Sequence, residues 1–227
     1  MSMPNPKRTA VRVQKVRLYP DVEMKQVLDE LCDYRRYCWN EALALWNDMY
    51  EQALILDDRK SRPSEYKVRN ELVAEKQDWQ YALSARVLQL SVSDLNKAFR
   101  NFFDKAQTDW GKPKFKSKKA PRQGFKTDRA RIVNGKLLLD RPHESRHKEW
   151  NAISFKGAKY LEGDLKVVSV YRENGRYYAS LPFEVDIRKK EKTGRCDAVD
   201  VNVGHLNHAG GVVSTMPKRL EMLYKRI

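Results

Sequence analysis

Near the start of the chain Val11, Val13, Val16 and Leu18 alternate with arginine and lysine, the period of two expected of a strand with one face on a core. The alternation slips at Gln14 and Lys15, which predicts a β-bulge there. Tyr19-Pro20-Asp21 ends the strand, and Asp21 is suited to cap a helix beginning at the next residue. Met24, Leu28, Leu31, Cys38, Ala42, Leu45 and Met49 then recur at helical spacing, predicting one long helix over about 22–54. Pro63 and Ser64 open a second helix that reaches about Lys76. A third begins at Ser84, where Leu88, Val92, Leu95, Phe99 and Phe102 step by four and three residues and form a narrow apolar seam for packing on the first helix.

Beyond residue 130 the period becomes two. Asn134-Gly135 lies between Arg131-Ile132-Val133 and Lys136-Leu137-Leu138-Leu139, and Asn174-Gly175 between Val168-Ser169-Val170-Tyr171 and Tyr177-Tyr178-Ala179-Ser180-Leu181. Asn-Gly tolerates the left-handed backbone that type I′ hairpins need, so 130–187 reads as a strand-rich unit, a small barrel. Ile187 to Gly194 is a charged, glycine-terminated link. Arg195 to Val201 predicts a further strand, which Gly210-Gly211 would turn into a hairpin with Val212-Val213; Pro217 precedes a basic helix from about Lys218. The fold class is α+β, with no internal repeat.

Composition narrows what such a fold can do. The 227 residues hold 45 Lys and Arg against 30 Asp and Glu, a net charge of +15, with 41% hydrophobic residues, enough for a real core. No stretch approaches the roughly 20 apolar residues of a membrane span, and Met1 to Leu18 has no apolar signal core, so neither export nor a membrane partner is expected. Cys32, Cys38 and Cys196 form no Cys-x-x-Cys pair, which fits a reducing compartment, a cytoplasmic and nucleoid-associated location.

The charge is concentrated. Nine basic residues (Lys112, Lys114, Lys116, Lys118, Lys119, Arg122, Lys126, Arg129 and Arg131) stand against one acid, Asp128, between Lys112 and Arg131. Phe115 and Phe125 interrupt the run, and Lys114-Phe115-Lys116 in extended form sends charges one way and the ring the other. Two readings fit: a solvated linker anchored by two phenylalanines, or a surface that tracks a phosphate backbone and stacks bases. The density of charge favours nucleic acid.

Catalytic candidates are sparse. Asp200 in Ala-Val-Asp-Val stands where a metal-dependent nuclease of the RNase H type carries its first carboxylate, and equally where a turn-capping aspartate would. Asp197, three residues away on one strand, faces the other side. The next acid is Glu221, on the basic C-terminal helix, so the carboxylate set is incomplete. His143-x3-His147 and His205-x2-His208 lack cysteine partners and read as surface or turn histidines, and Cys196 reads as a buried thiol. No metal site is expected.

Val16-Arg17-Leu18-Tyr19-Pro20, Ala98-Phe99-Arg100-Asn101-Phe102-Phe103, Lys112-Pro113-Lys114-Phe115-Lys116-Ser117-Lys118-Lys119 with Phe125-Lys126-Thr127, and Ala198-Val199-Asp200-Val201 together resemble the TnpB family, transposon-encoded RNA-guided nucleases related to type V CRISPR effectors. The resemblance implies a wedge β-barrel split by a helical recognition insertion and followed by the start of a RuvC (RNase H-like) domain. The boundaries would be a first wedge strand over 1–20, the helical insertion over 21–110, the basic segment and wedge barrel over 111–190, and an incomplete RuvC-like segment over 191–227. It implies a guide RNA with a structured scaffold, a double-stranded target DNA with a short flanking motif, and Mg2+ only where a longer form completes the RuvC site. Ser64, Lys67 and Gln89 match positions that contact the flanking motif in the family. Lys112, Lys114, Phe115, Lys116, Lys118, Lys119, Arg122, Phe125, Lys126 and Thr127 are the nucleic-acid candidates.

The departures are specific. Asn202 stands where the family has glycine two residues after its catalytic aspartate, with Gly204 displaced by two. The family's later Glu, second Asp and four-cysteine zinc ribbon have no counterpart in this sequence. The expected function is RNA-guided DNA binding without cleavage, repressing transcription by occupancy, with Asp200 a vestigial or partial catalytic residue. An endonuclease completed by further sequence and a plain basic RNA-binding protein are the alternatives.

Overall fold

The computed structural model describes residues 9–106, 109–142, 150, 152–159, 162–186, 199–202, 205–208 and 211–214. They fall in two units, Met1–Ile187 and Arg188–Ile227.

The first unit is α+β. Strand β1 (Thr9–Tyr19) leads into helix α1 (Val22–Ile55), and a 3₁₀ turn at Arg59–Ser61 is followed by α2 (Glu65–Ala74), α3 (Asp78–Tyr81) and α4 (Ala85–Phe103). After the basic segment come β2 (Arg122–Thr127), β3 (Arg131–Val133), β4 (Lys136–Leu138), β5 (Ile153–Lys156), β6 (Asp164–Leu165), β7 (Val168–Glu173) and β8 (Arg176–Asp186). The sheet is antiparallel, in the order β2-β7-β8-β1-β5-β4-β3 with β6 on β8, a curled half-barrel. The first strand therefore sits at its middle, and the four helices are inserted between β1 and the strands it pairs with.

The expected bulge is absent. β1 pairs with β8 at every position from Thr9↔Asp186 to Leu18↔Tyr177. The slip in the pattern is instead a change of buried face: Val16 and Leu18 are 1% and 3% exposed, whereas Val11 and Val13 lie 59% and 60% exposed on the opposite face. Only the second half of the strand reaches the core, and the first two valines serve the extended backbone that β-branched side chains favour.

Asp21 Oδ1 accepts from the Met24 backbone N–H at 2.8 Å and starts α1. The chain leaves that helix through Asp57, whose φ of 47° is left-handed. On α4 the seam buries Leu88, Val92, Leu95 and Phe99, and Phe99 stacks on Trp46 of α1 at 4.7 Å between centroids. Phe102, 36% exposed, lies beyond the seam. Both hairpin turns form as expected, with φ of 50° and 71° at Asn134-Gly135 and 49° and 69° at Asn174-Gly175. One core cluster joins α1 and α4 to the sheet. No helix among the described residues is long and apolar enough to cross a membrane.

The second unit is a three-stranded meander, β9 (Val199–Asn202), β10 (His205–His208) and β11 (Gly211–Ser214), in the order β11-β10-β9. The expected hairpin is corrected here: an intervening strand pairs with both partners. His205-Leu206-Asn207-His208 has one apolar residue, too few to betray a strand. Cys196, Asp197, Glu221, His143, His147, the link from Ile187 to Gly194 and the C-terminal helix expected from Lys218 lie outside the described residues.

Candidate nucleic-acid interface

The basic segment between α4 and β2 forms neither helix nor strand over 110–117, yet it is not a free linker. Two consecutive side chains of α1 hold it. Trp39 Nε1 donates to the Lys114 carbonyl at 2.9 Å. Asn40 Oδ1 accepts from the Lys116 N–H at 2.8 Å while its Nδ2 donates to the Lys116 carbonyl at 3.1 Å. Asn40 thus gives Lys116 the donor and acceptor that a neighbouring strand would supply. With the backbone tied inward, Lys112, Lys114, Phe115, Lys118 and Lys119 are exposed, the Phe115 ring 61% so.

Around that tie the cations outnumber the acids. The Lys116 ammonium lies 4.3 Å from the centre of the Trp39 ring and the Arg35 guanidinium 5.0 Å from it. Arg35 also meets Asp94 of α4 at 3.4 Å, and Lys126 of β2 meets the same carboxylate at 2.6 Å. Burial, with the charge of Arg35 adding to it, pulls the Lys116 pKa down to about 8; Asp94 offsets this in part. On the sheet, Arg122 stacks 3.7 Å from the Tyr171 ring centre, and Lys15 of β1 lies 5.0 Å from that of Tyr178.

Of these groups, Arg35, Lys116 and Arg122 open onto a cavity of about 240 Å³, lined also by Cys32, Arg36, Phe115, Ser117, Ala120, Gln123 and Gly124. Four of its lining residues are cationic and none is acidic. Gly124 is required by close approach, since a Cβ there would strike the Val170 carbonyl oxygen and come within 2.6 Å of Tyr171 Cβ. Burial pushes the Cys32 thiol up to about 12, which keeps it neutral beside the cations. A larger cavity of about 730 Å³ between α1 and α3 carries Glu30, Asp33 and Glu41 among its lining residues and is the wrong sign for a phosphate.

The other sequence candidates have structural surroundings of their own. Phe125 is 3% exposed and Thr127 4%, both facing the core, and Thr127 Oγ1 accepts from the Arg129 N–H. Ser64 caps α2 through the Lys67 N–H at 3.3 Å. The Lys67 ammonium donates to the Lys60 and Arg62 carbonyls and closes the loop before α2. Gln89 of α4 accepts from Arg86, which also grips Asp128; that contact raises the Arg86 pKa and lowers the Asp128 pKa. The start of α2 meets α4 through Glu65 and Asn96, seven residues beyond Gln89, about 10 Å along the helix. Ser64 and Lys67 are therefore not bonded to Gln89.

Sequence reading missed Arg35, Arg36, Trp39, Asn40 and Lys15. The signal was available in Arg35-Arg36-x2-Trp39-Asn40: Arg35 and Trp39 are one helical turn apart, polar and aromatic beside the apolar stripe.

In the meander Asp200 stands opposite Asn207 in the register of β9 and β10. Asp200 is the one carboxylate among the described residues of that unit, and two-metal hydrolysis needs several that converge. No group of three metal-capable side chains occurs among the described residues.

Residues 12–54, about a fifth of the chain, match the helix-turn-helix domain HTH_OrfB_IS605. Over those residues the chain is similar to transposon-associated, DNA-binding proteins of the OrfB/TnpB kind. In this chain the matched residues fold as most of β1 and an unbroken α1, so they contain no turn between two helices. Comparison with curated proteins gave no match.

Proposed function

We propose that the protein is an RNA-guided DNA-binding protein that carries a structured RNA on its basic segment and the adjoining face of α1. It occupies matched duplex DNA without cutting it. The observation that carries the reading is the strapping of Lys114 to Lys116 onto Trp39 and Asn40, which turns a charged linker into a fixed row of exposed cations around the open Phe115 ring. A fixed cationic track with a stacking ring suits a single-stranded or splayed nucleic acid. Guide pairing would read the target sequence, and Gln89 and the start of α2 are the residues offered to a flanking motif. Binding without cleavage is supported by Asn202, which replaces the glycine expected after Asp200, and by the lone carboxylate of the described meander. Mg2+ belongs to the endonuclease alternative only.

The test is a fourfold variant, Lys114, Lys116, Lys118 and Lys119 to Ala. It should lose copurifying RNA and flatten the salt dependence of the remainder, each lost phosphate contact lowering the log–log slope by roughly one unit. Unchanged RNA retention with an unchanged slope would return the segment to a solvated linker.

A further inference from the structure

The cavity beside the strapped segment holds three polar groups whose needs are unmet and mutually complementary. Arg36 Nε is buried and has no hydrogen-bond partner, its Nη2 being spent on Asp33 at 2.8 Å. Lys116 makes no ion pair among the described residues, although Arg35 and Lys126 beside it share Asp94. Gln123, 9% exposed, has its amide nitrogen committed to the Lys118 and Ala120 carbonyls and its Oε1 buried without a donor. Two donors bearing positive charge and one neutral acceptor therefore line the same space. An unpaired buried polar atom costs free energy that a matching hydrogen-bond partner returns. The donors call for an anionic oxygen; the acceptor calls for a hydroxyl or amine close to it. A phosphodiester followed by a ribose presents both within one nucleotide, and a deoxyribose lacks the second.

We propose that this cavity seats one phosphodiester of a single-stranded RNA against Arg36 and Lys116, with a neighbouring ribose 2′-hydroxyl donating to Gln123 Oε1 and a base lying on the exposed Phe115 ring. The pocket thereby selects RNA over DNA. This rests on the reading that the basic segment carries RNA, and it adds the pocket and the atom by which the ribose is read.

The experiment is equilibrium binding of the full chain to three labelled dodecamers of one sequence: oligouridine RNA, its 2′-O-methyl form, and the deoxyuridine DNA. The unmodified RNA should bind about 3- to 10-fold tighter than either of the others, the range of one hydrogen bond. Gln123→Met should bring the three affinities together. Loosening of the loop that Gln123 ties down would weaken all three alike and leave their ratio standing, so the ratio separates readout from scaffolding. Phe115→Ala, on an exposed side chain, should weaken all three by the loss of one stacked base. Inorganic phosphate and uridine monophosphate, added as competitors, should displace the RNA only weakly, because neither engages the track beyond the pocket. Strong displacement by phosphate alone would make this a general anion site and overturn the RNA assignment. Equal binding of all three oligomers by the unaltered protein would overturn the pocket and leave nucleic-acid binding intact. Binding of none would overturn both.

Discussion

Asn40 spends both ends of its side-chain amide on the backbone of Lys116 and pairs with it as a neighbouring strand would. Asn40→Ala should cost about 1–3 kcal/mol for the two bonds, read as a lower urea midpoint. Trypsin should cut between Lys112 and Lys119 faster in that variant than in the parent. Lys116 itself titrates within reach of assay. Its ordinary value is 10.5 and its folded value about 8, set by burial and by Arg35 of α1, with Lys126 of β2 adding and Asp94 of α4 opposing. Between those two values the unfolded chain binds a proton that the folded chain does not, so this residue makes stability rise with pH across the interval. Nucleic-acid affinity runs the other way: it should begin to fall as pH passes about 8, when the ammonium discharges. Lys116→Arg should keep the affinity level through that pH, and a parent-like fall in the arginine variant would assign the titration elsewhere.

At the level of elements, the α1–α4 seam divides its residues by burial rather than by spacing. Leu95, fully buried, should cost about 2–5 kcal/mol as Leu95→Ala. Phe102, next in the same periodic row but more than a third exposed, should change stability by no more than about 0.5 kcal/mol as Phe102→Ala. Equal losses by thermal melting would mean that the seam runs through Phe102. Long periodic elements were legible because burial imposes its period on the sequence: α1, α4 and the two Asn-Gly hairpins lie where spacing and turn chemistry put them. Short or sparsely apolar elements were not. α3 is one turn, held by Trp79 edge-on to Tyr34 and Tyr37 of α1, contacts no local pattern announces. The false bulge arose because both faces of β1 carry valine while only one is covered. For the site, sequence supplied the cations and the one exposed ring, but Phe125 sits in the same charge run with its ring in the core. Which of the two phenylalanines faces out, and that Trp39 and Asn40 hold the segment, depends on tertiary packing across 75 residues of chain.

On the scale of the whole molecule, a net charge of +15 would draw any polyanion, so binding alone distinguishes little. The proposed function is more demanding: the protein must choose DNA by the RNA it carries and leave both strands intact. Strand exchange between RNA and DNA is close to balance, so backbone contacts decide whether the complex persists. A persistent complex over a promoter should repress a reporter in a guide-dependent way, Asp200→Ala should leave that repression unchanged, and Gln89→Ala should weaken it by about 1–3 kcal/mol if its amide reads a base edge. The most direct measurement loads the protein with its copurifying RNA and compares retention of a duplex matching the unpaired stretch of that RNA with retention of a scrambled duplex, in the presence of Mg2+. The matched duplex should be held and recovered uncut while the scrambled one is lost. Equal retention of both duplexes, or recovery of the matched one in cleaved form, would contradict the proposed function.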